Sequence, residues 1–261
     1  MILKDKIIAF DIDGTLARWD GNLSEYTENE IRRLIEEGYN ITLVTGRNIL
    51  SCVGIYRKCN MKLAAVMCNG AIVYDPNKDY KILDITIPLK DVFAYMEDEN
   101  FMKNVDDILI EIGETSYSLT GKRWPKADIV GNFKETLPCA PNSMVISVYS
   151  QDLQKNVQEI VNSSENYRYR SWMMCGEFYG AHFSKREGVM ELLKYHNKTK
   201  DDLIFFGDAE NDREILEYAG YGIAMKNADD ETKKVAKEIT ELNNQEDGAI
   251  KHLLKMIEEN K

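Results

Sequence analysis

Lys6-Ile7-Ile8-Ala9-Phe10-Asp11-Ile12-Asp13-Gly14-Thr15-Leu16 is the stretch on which the fold turns. An apolar run stops abruptly at one carboxylate, and a second carboxylate follows two residues on. The run predicts a short buried strand over 6–10. Its two carboxylates then leave the sheet at the carboxyl edge, where open parallel sheets bind ligands. The chain must turn at once, and Gly14 permits the backbone angles this needs. Thr15 can tie its hydroxyl to a neighbouring carboxylate or backbone group and fix the loop. Asp-x-Asp-Gly also opens a calcium loop, but that loop needs an acid or amide at its fifth position and Glu at its twelfth. Thr15 and Asn22 stand there instead.

Outward from this loop the pattern repeats. A helix is predicted over 27–38, with Thr27 as its cap, Glu30 three residues on and Gly38 as its stop. A second buried strand over 40–44 ends at Thr45-Gly46-Arg47, and helical spacing covers 48–58. A third strand over 63–67 runs into an Asn69-Gly70 turn. Such alternation predicts a parallel sheet covered by helices. From about Ile85 the pattern changes to hairpin-like strands mixed with helices. Strands are predicted over 108–112, 117–119, 144–149 and 167–173, with a helix over 152–161. After Lys185 the first pattern returns, with helices over 187–195 and 212–218 and strands over 203–206 and 221–224. A helix including 231–235 follows, and an amphipathic one over 249–258 ends the chain. The fold class is therefore α/β: a Rossmann-like parallel sheet core with helices on both faces, plus an inserted α+β domain. The core takes residues 1–84 and 181–261, and the insert takes 85–180.

Composition narrows the function classes. The 261 residues include 33 Lys or Arg and 44 Asp or Glu, a formal charge of −11. That acid excess argues against a nucleic-acid partner, which needs a basic surface. It does not exclude a small phosphorylated ligand, which needs only a local patch or a metal ion. The five cysteines (Cys52, Cys59, Cys68, Cys139, Cys175) are scattered and form no CxxC pair. They suggest neither a zinc ribbon nor a disulfide framework, and each reads as a small buried apolar residue. No apolar run is long enough for a signal-peptide core or a membrane span. A cytoplasmic location is expected.

Three further segments carry chemistry. Gly207-Asp208-Ala209-Glu210-Asn211-Asp212 follows an apolar strand. Acidic residues at two separate strand ends suit a hard cation, because Mg²⁺ prefers oxygen ligands. A solvated helix start would also favour Asp, and the Asp11 loop decides between the two. Thr45-Gly46-Arg47 offers a hydroxyl, a backbone N–H and a helix N-terminus, which together can cradle a phosphate. Lys185 stands just before a helix, where a lone lysine is usually solvated; its interest comes from its order among the other segments.

That ordered set resembles the haloacid-dehalogenase superfamily of phosphohydrolases, and more narrowly its Cof-type branch. The likeness runs through Asp11-Ile12-Asp13-Gly14-Thr15-Leu16, Thr45-Gly46-Arg47, Asn69-Gly70-Ala71, Ser184-Lys185 and Gly207–Asp212. It continues through Gly222–Ala228 and Asn244–Ala249. The resemblance makes the insert the branch's C2B-type α/β cap. It implies a Mg²⁺-dependent phosphomonoester hydrolase with Asp11 as nucleophile, forming an aspartyl-phosphate, and Asp13 as general acid and base. The metal ligands would be the Asp11 carboxylate, the Asp13 backbone carbonyl and the Asp208 carboxylate. The Ile12 backbone, Thr45, Gly46, Lys185 and Asn211 would hold the phosphoryl oxygens. Asp212 would sit behind them or orient Lys185. The implied substrate is a small phosphorylated metabolite, either a sugar phosphate or a phosphorylated cofactor, and its identity and the oligomeric state stay open. A phosphomutase using the same intermediate, and a binding protein that never turns over, are the alternatives. Arg186, Ala209 and Lys226 depart from the usual pattern, where Gly often follows the lysine. In the insert, Lys122, Arg123, Arg168 and Arg170 are candidates for a second anionic group. Trp124, Trp172 and Tyr179 read as core aromatics, with stacking on a substrate ring as the alternative.

Overall fold

The computed structural model describes residues 3–259. The chain divides into two compact units, one comprising Met1–Leu83 and Phe183–Lys261, the other Asp84–His182. Among the described residues, no helix is long and apolar enough to cross a membrane.

The first unit is built on a five-stranded sheet with every neighbouring pair parallel. Across it run Glu238–Ile239, Tyr221–Ala224, Leu203–Gly207, Ile7–Phe10 and Asn40–Leu43, in that order. Ile7–Phe10 and Leu203–Gly207 are buried at every position, as strands of a covered parallel sheet must be. That is why they read as unbroken apolar runs. From Ile7–Phe10 the chain winds outward in one direction to Asn40–Leu43. It later returns to the other side through Leu203–Gly207. The reversal leaves a crevice between the carboxyl ends of these two neighbouring strands, and Asp11 and Asp208 are the residues that follow them. A three-stranded piece, Ala65–Met67, Ile72–Asp75 and Tyr80–Asp84, extends this unit and joins the main sheet through a Val44–Val66 bridge.

The second unit has a six-stranded sheet in the order Tyr167–Trp172, Cys175–Gly180, Ser143–Val148, Val105–Ile112, Thr115–Ser118, Ile129–Val130. Its pairs are antiparallel except the last, which is parallel. Its own core gathers Phe101, Ile108, Phe133, Ile146, Val157 and Phe178. This independent core explains why the strict alternation of strand and helix breaks off in the sequence.

Several local expectations shift. The first helix is Glu25–Glu36, and its cap is Ser24, whose side chain accepts the Thr27 N–H. Thr27 lies inside the helix, with its hydroxyl turned to Asp247. The helix Lys185–Tyr195 starts at the lysine itself, after the cap residue Ser184. Cys139 is exposed and Cys175 half-buried, so only the other three cysteines are buried apolar residues. Trp172 is 47 % exposed, which corrects its reading as a core aromatic: it ends the edge strand of the sheet, beside the turn to Cys175–Gly180.

Candidate active site

Asp11 is almost wholly buried, and its backbone N–H donates to the Phe206 carbonyl on the neighbouring strand. Lys185 Nζ, 1 % exposed, donates to Asp11 Oδ1 and to Asp212 Oδ1, each at 2.7 Å. The lysine enters this buried position from the first turn of its helix. Ser184 N–H donates to Glu187 Oε2 and helps fix that turn. Gly70 makes room for it: a Cβ there would lie 2.0 Å from the Ser184 carbonyl oxygen.

Asp208 accepts the Thr15 hydroxyl at 2.9 Å. Gly14, at φ +83°, presses so close that a Cβ would lie 2.1 Å from Asp208 Oδ2. This position therefore demands glycine both for its dihedral and for its contact. Asp212 Oδ2 accepts the backbone N–H groups of Asp208 and Ala209. Asp11, Asp208 and Asp212 each offer a carboxylate oxygen, and these oxygens lie within 4.8 Å of one another.

The charges do not balance. Three carboxylates surround one ammonium. Burial pushes the Asp11 carboxyl well above its ordinary pKa; Lys185 opposes the rise, while Asp212 and Asp208 add to it. Burial and then the Asp212 charge push Asp208 up to about 7, against the Thr15 hydroxyl and Lys185. Burial disfavours the Lys185 ammonium, but its two carboxylate partners outweigh that and raise its pKa. The cluster thus holds a surplus of negative charge in a poorly solvated place. All-oxygen donors with surplus negative charge fit a hard divalent cation. Asp212 is the least available of the three, since both its oxygens are engaged with Lys185 and the backbone.

Asp13 lies elsewhere. Its side chain is 60 % exposed and is gripped by Arg47 through two hydrogen bonds, Nη2 to Oδ1 at 2.6 Å and Nε to Oδ2 at 2.9 Å. Arg47 also donates to the Gly21 carbonyl at 2.8 Å. Only the type of residue at 47 was legible in the sequence. The pairing spans a turn of the chain that no spacing rule predicts. The Ile12 carbonyl accepts three N–H groups, from Thr15, Leu16 and Ala17. Thr45 is buried and its hydroxyl oxygen accepts the Arg47 N–H at 3.1 Å.

Asn211 Nδ2 donates to Asn69 Oδ1 at 2.8 Å. Asn211 Oδ1 is buried without a hydrogen-bond partner among the described residues. Asn69 was quoted in the sequence only as part of a turn. It is buried at φ 51°, and a Cβ on Gly46 would lie 3.1 Å from its amide. Thr45, Gly46, Asn69 and Asn211 therefore form one connected group. Arg186 is directed away, with its guanidinium over the Tyr218 ring at 5.2 Å. In the second unit, Arg168 donates to the Ser164 and Tyr167 carbonyls, and Lys122 lies 5.5 Å over the Tyr149 ring.

A model of the haloacid dehalogenase-like hydrolases matches residues 8–253. The chain belongs to that family. Its branch is Cof-type, and by class the chain is a phosphatase. It is 29% identical to the 5-amino-6-(5-phospho-D-ribitylamino)uracil phosphatase of Bacillus subtilis over 97% of this chain and 98% of that protein. It is 23% identical to the HMP-PP phosphatase of Yersinia pseudotuberculosis, over 95% of this chain and 94% of the other. A HAD/COF-like hydrolase from Plasmodium vivax superposes with TM-score 0.82 at 26% identity, covering 98% and 96% of the two chains. A haloacid dehalogenase-like hydrolase from Bacteroides thetaiotaomicron shares the fold at TM-score 0.87 and 22% identity, over 96% and 99%.

Proposed function

We propose that this phosphatase hydrolyses a phosphomonoester of a small metabolite, with Mg²⁺ as cofactor and Asp11 as the group phosphorylated in turnover. The observation that carries the reading is the unbalanced cluster, in which buried Asp11 shares one ammonium with Asp212 and a third carboxylate, Asp208, lies beside them. The Asp11 and Asp208 carboxylates and the Asp13 backbone carbonyl would hold the cation. When bound, Mg²⁺ supplies the positive charge that lets a carboxylate approach a phosphoryl group.

The chain's own residues do the rest. An Asp11 oxygen forms the bond to phosphorus as the ester bond breaks, and Asp13 gives its proton to the leaving oxygen. Water then attacks the aspartyl-phosphate as Asp13 takes a proton from it, and the Asp11–phosphate bond breaks to release inorganic phosphate. Lys185, Thr45, the Gly46 and Ile12 backbones and Asn211 bind the phosphoryl oxygens, so that catalysis rests on position and charge. Asp212 fixes Lys185. Arg47, which holds both Asp13 oxygens, must release that carboxylate before it can carry a proton to the leaving oxygen.

The names of the relatives support a small phosphorylated metabolite as substrate, and we place it among sugar phosphates or phosphorylated cofactors. Five free thiols support a cytoplasmic location. The test is phosphate release from p-nitrophenyl phosphate and a metabolite panel, with and without Mg²⁺. Mg²⁺-dependent inorganic phosphate is the expected product. A rearranged phosphate ester would make the chain a mutase, and a stable phosphoenzyme without turnover would make it a binding protein.

A further inference from the structure

Two asparagines remote in sequence grip the loop that carries the nucleophile. Asn227 Nδ2 donates to the Gly14 carbonyl at 2.8 Å. Asn244 Nδ2 donates to the Ala17 carbonyl at 2.8 Å, and Asn244 is buried. The two are linked, because the Asn244 N–H donates to Asn227 Oδ1 at 3.1 Å. This linkage also fixes the Asn227 amide: turned over, it would set an NH₂ against the Asn244 N–H and an oxygen against the Gly14 oxygen. A third residue extends the grip. Asp247, in the left-handed conformation at φ 58°, accepts from the Ser24 and Thr27 hydroxyls and from Arg18.

The gripped segment is a tight turn whose three N–H groups, Thr15 to Ala17, all donate to the Ile12 carbonyl. On its inner side Gly14 and Thr15 lie against Asp208. A displaced Gly14 carbonyl therefore moves the Thr15–Asp208 contact and the Asp13 peptide together. Displacements of about 1 Å in such groups cost up to about a hundredfold in rate.

We infer that Asn227 and Asn244 are positioning residues for the reaction, clamping the 14–17 turn so that Asp11, Asp13 and Asp208 keep their mutual geometry. The clamp rests on the phosphatase reading for its catalytic effect, while its structural effect is readable without turnover.

The experiment compares wild type with Asn227→Ala, Asn227→Asp and Asn244→Ala, by p-nitrophenyl phosphate kinetics, thermal unfolding and hydrogen exchange of the Thr15–Ala17 amides. Asn227 is exposed, so its variants are expected to fold with Tm within a few degrees of wild type. Each should exchange Thr15–Ala17 faster, with Ile7–Phe10 unchanged, and lose about tenfold in kcat with KM within about twofold. Asn227→Asp keeps the acceptor for Asn244 and removes only the donor, while Asn227→Ala separates that loss from added charge. Unchanged exchange in both Asn227 variants would overturn the clamp. Faster exchange with unchanged kcat would overturn the positioning role and leave a staple of the fold. An inactive wild type would sink the phosphatase reading instead, and the exchange rates would still decide whether the clamp exists.

Discussion

Each unit buries carboxylates, and they are treated in opposite ways. In the second unit Asp107 is fully buried. It accepts the N–H groups of Ile108, Thr120 and Arg123 and the Ser118 hydroxyl, at 2.7 to 3.1 Å. Burial alone would raise its pKa, but these donors outweigh it and hold the carboxyl below its ordinary value. In the first unit Asp11 and Asp208 are pushed up, chiefly by burial and then by the neighbouring carboxylates, which the one ammonium does not offset. A buried charge whose partners are all protein groups organises a loop. A buried charge left in surplus is built for something that arrives later.

Four outcomes would break or sharpen this contrast. The largest concerns Asp11→Asn, which should lower phosphate release by about 10³-fold or more in a protein whose unfolding transition stays cooperative. Wild-type turnover in that variant would make Asp11 no different in kind from Asp107. Next, Asp13→Ala should lose about 10² to 10⁴ in kcat with Mg²⁺ affinity nearly intact, since its carboxylate is paired with Arg47 outside the cluster. Metal loss as the main defect, seen by calorimetry, would contradict the assignment.

The third outcome is a pH dependence of opposite sign in the two units. Asp208 has a folded pKa above its unfolded value, so the metal-free protein binds more protons folded than unfolded between about 4 and 7. Its contribution therefore falls as pH rises through that window. Asp107, with a lowered pKa, contributes stability above its unfolded pKa and loses it as pH falls through the folded one. Mg²⁺ favours ionised carboxylates, so the gain in Tm on adding it should grow from pH 5 to pH 8. A gain independent of pH, or absent in wild type yet present in Asp208→Asn, would refute the surplus. The smallest effect belongs to Ser118→Ala. It removes one donor from Asp107 and should cost about 1 kcal/mol in chemical denaturation, with no change in the Mg²⁺ response.

Much of this was legible in the sequence, and for a physical reason. The central strands are apolar at every position because both sheet faces are covered, and each ends where a polar residue reaches the crevice. Asp11 and Asp208 could therefore each be placed at a strand end from the sequence, while the pairing of those two strands emerged only from the sheet order. Helix starts were harder: Ser24 and Thr27 can both cap, and the Asp247 carboxylate, more than 200 residues away, draws the Thr27 hydroxyl inward. Lys185 looked like a solvated lysine because its two partners are 174 and 27 residues distant. Arg47 and the Asn227–Asn244 pair were quoted without roles, since nothing local shows which carboxylate or carbonyl a side chain will meet. Trp172 was misread because an aromatic in a strand gives no sign of whether its end of the sheet is covered.

The most direct test is calorimetric titration of Mg²⁺ into wild type, Asp208→Asn and Asp107→Asn at pH 6.5. One ion per wild-type chain is predicted, with proton release, because Asp208 with a pKa of about 7 is partly protonated there. Asp208→Asn should bind at least about tenfold more weakly, and Asp107→Asn should bind as wild type does. No binding to wild type, or equal binding in wild type and Asp208→Asn, would contradict the account.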